Sequence, residues 1–125
     1  MVLPVSLYEY AATIVYVVDG DTVDLLIDLG FKTTRKERVR FYGVNAPERG
    51  DEPGYQDAKD FVLAVQARLM AGQTGLFIRT RKDVHDVYGR YLAYLYEVDP
   101  HGNVLDLSAA MIAQKLAVPF MTPNP

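Results

Sequence analysis

The sequence predicts an α+β fold that is mainly β: a five-stranded barrel with one main helix and a short C-terminal helix, in one domain over residues 1–125. Three observations predict it. Runs of β-branched and aromatic residues recur between turn residues. One segment from residue 54 carries apolar residues at helical spacing. A chain of 125 residues, 50% hydrophobic and 23% charged, is enough for one self-sufficient core without disulfides.

Thr13 to Val18 is β-branched and aromatic, and Thr22 to Leu29 is apolar with Asp24 and Asp28 interspersed, so both read as strands. Asp19-Gly20 between them is a two-residue hairpin signal, since such turns take positive φ at both positions, and it predicts antiparallel pairing. A third strand is expected over about Arg38 to Val44, after a connection from Gly30 to Lys36. From Gly54 onward, Ala58, Phe61, Val62, Val65 and Leu69 fall on one helical face. Asp57 and Asp60 in the first turn, Arg68 in the last and Gly72 as a stop suit the helix dipole and its ending. Leu76 to Thr80 and Arg90 to Val98 predict two more strands, and Asp99-Pro100-His101-Gly102-Asn103 a turn. A short second helix is expected from Ser108 as its cap, with Ala109, Ile112, Ala113 and Leu116 at helical spacing, ending before Pro119.

Meander, helix, two strands is the order of the OB-fold, a partly open five-stranded barrel in which a helix plugs the gap between the third and fourth strands. That fold carries many chemistries, so function must be read from side chains.

Thirteen Lys and Arg against sixteen Asp and Glu give a formal charge of −3 and a pI near 5.3, which counts against coating nucleic acid through global positive potential. The charge is uneven. Lys32, Arg35, Lys36, Arg38 and Arg40 share nine residues with a single acid, Glu37, and Arg79, Arg81 and Lys82 form a smaller group. Such a cluster acts over about 8–10 Å at physiological salt, enough to draw in a phosphate. The absence of cysteine excludes a disulfide scaffold, thiol catalysis, iron–sulfur clusters and cysteine-ligated zinc, and leaves the redox compartment unread. His85 and His101 stand far apart and predict no zinc site. No apolar stretch approaches the ~20 residues of a membrane span, and Met1 to Tyr10 has neither a basic start nor a long apolar segment. The chain is therefore expected to be soluble, without signal peptide or membrane partner, and cytoplasmic rather than secreted.

Three segments carry the chemistry: Asp19-Gly20-Asp21-Thr22-Val23, Arg40-Phe41-Tyr42-Gly43-Val44-Asn45-Ala46-Pro47-Glu48, and Asp86-Val87-Tyr88-Gly89-Arg90-Tyr91-Leu92-Ala93-Tyr94. Singly, each is accounted for as a turn or a strand end. Together they supply what a hard cation and a phosphodiester need. Calcium takes carboxylate, amide and carbonyl oxygens, which Asp21, Asn45 and the backbone of Ala46 before Pro47 can offer. Arg40 and Arg90 carry planar forks suited to phosphate oxygens and to the charge that builds up at a five-coordinate phosphorus. Glu48 can orient or deprotonate an attacking water.

In this order and at about this spacing, the three segments resemble the staphylococcal nuclease (thermonuclease) family, over about residues 10 to 118. The resemblance implies an OB-fold and calcium-dependent hydrolysis of DNA and RNA at the bond to the 5′ oxygen, leaving a 3′-phosphate. It further implies that Asp21, the Asn45 side chain and the Ala46 carbonyl bind Ca2+. Glu48 would be the general base or water-positioning group, Arg40 and Arg90 would stabilise the transition state, and Tyr88 would hydrogen-bond the nucleotide's phosphate.

The chain departs from the family's best-known member at several points. Asn45 stands in place of an aspartate and removes a negative charge; Ala46 stands in place of a threonine, Val87 of a phosphate-binding lysine, and Met121 of a base-stacking tyrosine. The sequence also ends at Pro125, ahead of the third helix that closes the family fold, so the domain is expected to stand on a shorter tail, to pair with a second copy or to be truncated. Monomer and weak homodimer both stay open. The aromatic run Tyr88, Tyr91, Tyr94 and Tyr96 is expected to fill the barrel core or its rim rather than to stack on bases. The alternative to a nuclease is a non-catalytic OB-fold that binds nucleic acid or a protein, a reading favoured by Asn45 and the acidic pI.

Overall fold

The computed structural model describes residues 8–86 and 88–120. Its elements follow in the order β1 (Glu9–Asp19), β2 (Thr22–Gly30), β3 (Thr33–Phe41), β4 (Val44–Asn45), α1 (Gly54–Met70), β5 (Gly75–His85), β6 (Tyr91–Val98), β7 (Val104–Asp106), α2 (Leu107–Ala113) and β8 (Val118–Pro119). The main sheet runs β3-β2-β1-β5-β6-β7, and β3 also pairs with β6, which closes five strands into a barrel. The OB-fold-like architecture read from the sequence is thus present. The closing contact is parallel and short, Val39 to Tyr91, Arg40 to Leu92 and Phe41 to Ala93; the other pairings are antiparallel.

Alternation along the strands sends Ile14, Val23, Leu25, Val39, Phe41, Ile78 and Leu95 into the barrel, where each is essentially inaccessible. Helix α1 covers one end with Ala58, Val62 and Val65 fully buried and Phe61 and Leu69 packed against the core. Leu107 and Met111 of α2 join the same cluster. At the opposite end of β6 from its start, the inward Glu97 is bound by both Nε and Nη2 of Arg68 at 2.8 Å and by Thr74 Oγ1 at 2.7 Å. The buried charge is therefore paired and hydrogen-bonded.

Both helices end in the same way. Gly72, at φ 72°, donates to the Leu69 carbonyl while Gln73 donates to that of Arg68. Lys115, at φ 60°, donates to Ile112 while Leu116 donates to Met111. These are paired C-terminal caps turned by one left-handed residue, glycine in the first case and lysine in the second.

Four local expectations are corrected. The hairpin residue Gly20 does not have positive φ; its hydrogen is required by space, because a Cβ there would lie 2.7 Å from Ala58 Cβ and 3.1 Å from Ala46 Cβ. The third strand begins at Thr33 and ends at Phe41, since the polar run 33–38 pairs with β2 all the way to the turn, with one register shift between Asp28 and Gly30. Helix α2 is capped by Asp106, whose carboxylate accepts from Ala109 N at 3.2 Å, while Ser108 Oγ donates to the Tyr42 carbonyl. Finally, the tyrosines of β6 do not fill the core: Ala93 and Leu95 point inward, leaving Tyr94 and Tyr96 half-buried on the other face and Tyr88 and Tyr91 exposed. Tyr94 packs on Tyr42 and Tyr96 on Phe77, each with ring centroids 4.8 Å apart.

Candidate active site

The β1–β2 turn, the end of β3 and the start of β6 meet at one end of the barrel, and the residues singled out in the sequence meet with them. Tyr55 of α1 donates to Asp19 Oδ1 at 2.7 Å, and the missing Cβ of Gly20 lets the turn lie against Ala58. Helix α1 thereby fixes the turn from which Asp21 projects. Thr22 pairs with Arg40 across the ladder, and Arg40 with Leu92 across the closing seam. One guanidinium thus sits between the hairpin and the start of β6.

Asp21 Oδ2 accepts from the Ala46 backbone N–H at 2.9 Å and lies 3.7 Å from Arg40 Nη2. The same Nη2 donates to Asn45 Oδ1 at 2.8 Å. Arg40 is only 7% exposed, and the Phe120 ring lies over it at 5.1 Å. Its charge is sequestered at the base of the site. On the other side, Asp21 Oδ1 accepts from Thr22 Oγ1 at 3.1 Å, and Thr22 Oγ1 accepts from Arg90 Nη1 at 3.4 Å. Asp21, Arg40, Asn45, Ala46 and Arg90 therefore belong to one network of hydrogen bonds and an ion pair, with Asp21 at its centre and Thr22 joining it to Arg90.

Arg90 is held from behind. Asp86 Oδ2 takes its Nε at 2.7 Å and pairs with Nη2 at 2.6 Å, while Oδ1 accepts from the backbone N–H groups of Tyr88 and Arg90. Burial pushes the Asp86 carboxyl up, but the Arg90 guanidinium and these N–H groups outweigh it and hold the group below the usual aspartate range. That leaves Nη1 of Arg90 as the end turned toward Thr22. The Tyr88 ring covers the guanidinium at 5.1 Å from its centroid, so this residue too is at the site, largely exposed.

Glu48 is exposed and lines a cleft of about 360 Å3 with Asn45, Ala46, Pro47 and Asp51 on one wall and Lys115 to Val118 on the other. The walls are joined because Asn45 pairs with Val118 and Val44 with Pro119. Every candidate residue read from the sequence is thus at or beside the network. Val87 and Met121 lie outside the described residues.

Sequence reasoning missed Asp86, Thr22, Phe120 and Lys115. Asp86 had a legible signal, its i,i+4 spacing to Arg90; Phe120 and Lys115 reach the site only through the β4–β8 pairing.

The donors fit calcium in kind. Asp21 and Asn45 both present oxygens toward one point, now taken by Arg40 Nη2. Among the described residues no three His, Cys, Asp or Glu side chains form a metal-holding group, so the expected ligand set rests on one carboxylate, one amide and one carbonyl. Calcium takes six to eight oxygens, and water or a substrate phosphate must supply the remainder. No helix among the described residues is long and apolar enough to cross a membrane.

Fold and site together define an OB-fold-like barrel with a clustered arginine–carboxylate centre at one end. No known protein-family model and no curated protein matches this chain.

Proposed function

We propose that this protein is a calcium-dependent nuclease that hydrolyses phosphodiester bonds of DNA and/or RNA and leaves 3′-phosphates. The observation that carries the reading is the single network linking Asp21, Asn45, Arg40 and Arg90 beside the exposed carboxylate of Glu48. Asp21, Asn45 Oδ1 and the Ala46 carbonyl would hold Ca2+, which when bound supplies a positive centre that polarises the phosphoryl group. Glu48 accepts a proton from the attacking water as its oxygen bonds to phosphorus. The bond to the 5′ oxygen then breaks, and that oxygen is protonated from solvent. Arg90, oriented by Asp86, would face the charge that develops on the phosphoryl oxygens, and the buried Arg40 would add its positive field from the base of the site. Tyr88, stacked on Arg90, donates to a phosphate of the bound strand.

A second reading, a non-catalytic domain that binds nucleic acid or a protein, is favoured by one observation: the Asn45 oxygen is already occupied by Arg40. Cleavage of single-stranded and nicked substrates with calcium, and again with chelator, separates the two. Nuclease action predicts chelator-sensitive cleavage and a loss of roughly 10²-fold or more in turnover for Glu48→Gln at little changed substrate affinity. Binding without cleavage at any calcium concentration would leave the second reading.

A further inference from the structure

The basic run that begins at Lys32 contributes Arg40 to the site just described, but its members from Lys32 to Arg38 have no part in it. It forms the far end of the β2–β3 ribbon. Pairing of β1 with β2 stops at Ala12–Ile27, and beyond it residues 28–34 pair only with one another. The ribbon's turn holds Gly30, Phe31 and Lys32 at φ of 80°, 54° and 61°. Phe31 is fully exposed, and no ring or cation lies over it among the described residues. A phenylalanine in left-handed backbone, with its whole ring in water, is disfavoured twice over, sterically and hydrophobically. Asparagine or glycine is the residue type this turn prefers.

Lys32 follows Phe31 in the turn, and Arg35, Lys36 and Arg38 lie along β3 of the same ribbon, opposite Ile27, Leu26 and Asp24. Arg35 is paired with Glu37 at 2.6 Å and Arg38 with Asp24 at 2.8 Å. Lys32 and Lys36 make no ion pair among the described residues. An exposed aromatic ring next to Lys32 in the turn, with Lys36 further along the same ribbon, matches the chemistry of a nucleic-acid strand, with one base for the ring and phosphates for the lysines.

We infer that Phe31 is an anchor on which an unpaired base of the substrate strand stacks, with Lys32 and Lys36 on the neighbouring phosphates. The inference rests on the nucleic-acid reading above and adds to it a second contact remote from the reacting centre. An unpaired base is favoured over a wedge into a duplex. Wedging must unstack a base step and is repaid by wrapping the bent duplex around the protein, which a net charge of −3 disfavours. Phe31 in the turn lies nine residue steps from Thr22 at the site, along the whole of β2. That is about 30 Å of strand, more than a strand of four nucleotides covers. Short oligonucleotides cannot span it.

The test is fluorescence anisotropy in chelator, which prevents cleavage, with labelled single strands of twenty and of four nucleotides and a twenty-base-pair duplex. Phe31→Asn keeps a residue suited to the turn, and Phe31→Trp keeps the stacking surface. Phe31→Asn is expected to raise the melting temperature while weakening the twenty-nucleotide single strand at least fivefold. The four-nucleotide strand, too short to reach both the anchor and the centre, should lose less than the long one, and Phe31→Trp should bind like wild type. Equal affinity of wild type and Phe31→Asn for the long strand overturns the inference, as does a loss confined to the duplex. If wild type binds no nucleic acid at all, the nucleic-acid reading itself falls and the anchor with it.

Discussion

Arg40 Nη2 and Asn45 Oδ1 lie 2.8 Å apart, so the amide oxygen expected to face calcium is bound by a buried guanidinium. Among the described residues Asp21 is the one carboxylate paired with that nitrogen, at 3.7 Å, so cation and anion roughly cancel at the point where the ligands converge. Asn45→Asp adds a full negative charge there. Part of it pairs with Arg40, and the remainder attracts a divalent ion. Isothermal titration is expected to show tighter calcium binding, with half-maximal cleavage at lower calcium. An unchanged dissociation constant in a folded variant would mean that residue 45 does not serve the metal.

Gly20 is predicted to tolerate no side chain. Alanine there would place its Cβ 2.7 Å from Ala58 Cβ and 3.2 Å from the Ala58 backbone carbon. The turn or α1 must then shift, at a cost of about 1–3 kcal/mol. Ala58→Gly removes the nearest of these atoms, so the double variant should lose less stability in denaturant melts than the two single losses combined. Additive losses would show that the contact is not the cause.

Lys115 offers the opposite case. Its φ of 60° is one that glycine adopts freely, and the cap hydrogen bonds on either side are made by backbone alone. Lys115→Gly should stabilise the protein by about 0.5–1 kcal/mol, the relief of strain being offset by the looser unfolded chain. Thermal melts should show a rise of about 2–5 °C.

The Arg68–Glu97 pair sets part of the acid limb of stability. Hydrogen bonds from Arg68 chiefly, helped by Thr74 and opposed by burial, hold the Glu97 carboxyl below its ordinary value of 4.5. A group lowered in the folded state contributes fully above its unfolded value and ceases to contribute as pH falls through the folded one. Arg68→Met is expected to cost about 1.5–3 kcal/mol at pH 7. The difference from wild type should shrink below about pH 4.5, as measured by urea melts across pH. A constant difference would place the effect in packing.

Fold and site were legible in unequal measure. Strand and helix identities followed from β-branched runs and from the Ala58, Val62, Val65 stripe, because alternation and helical spacing are local properties of the chain. Two faces of β6 alternate as the sequence reads, but which one turns into the barrel depends on the register with β5 and β3, and that register puts Ala93 and Leu95 inside rather than the tyrosines. Gly20 was rightly marked as a turn residue for the wrong reason, since its constraint comes from a helix 38 residues away in sequence. Asp21, Arg40 and Arg90 could be grouped from their segments, but the threonine joining them could not, because Thr22 reads as an ordinary strand residue.

Only three residue pairs stitch β3 to β6, and Arg40 and Arg90 belong to the two segments so joined. The halves of the centre are fifty residues apart along the chain and adjacent only while that stitch holds. Such a short parallel join is a natural place for a molecule to open before it melts as a whole. Warming would then silence the centre while most of the barrel, and the spectroscopic signals that report on it, remain in place.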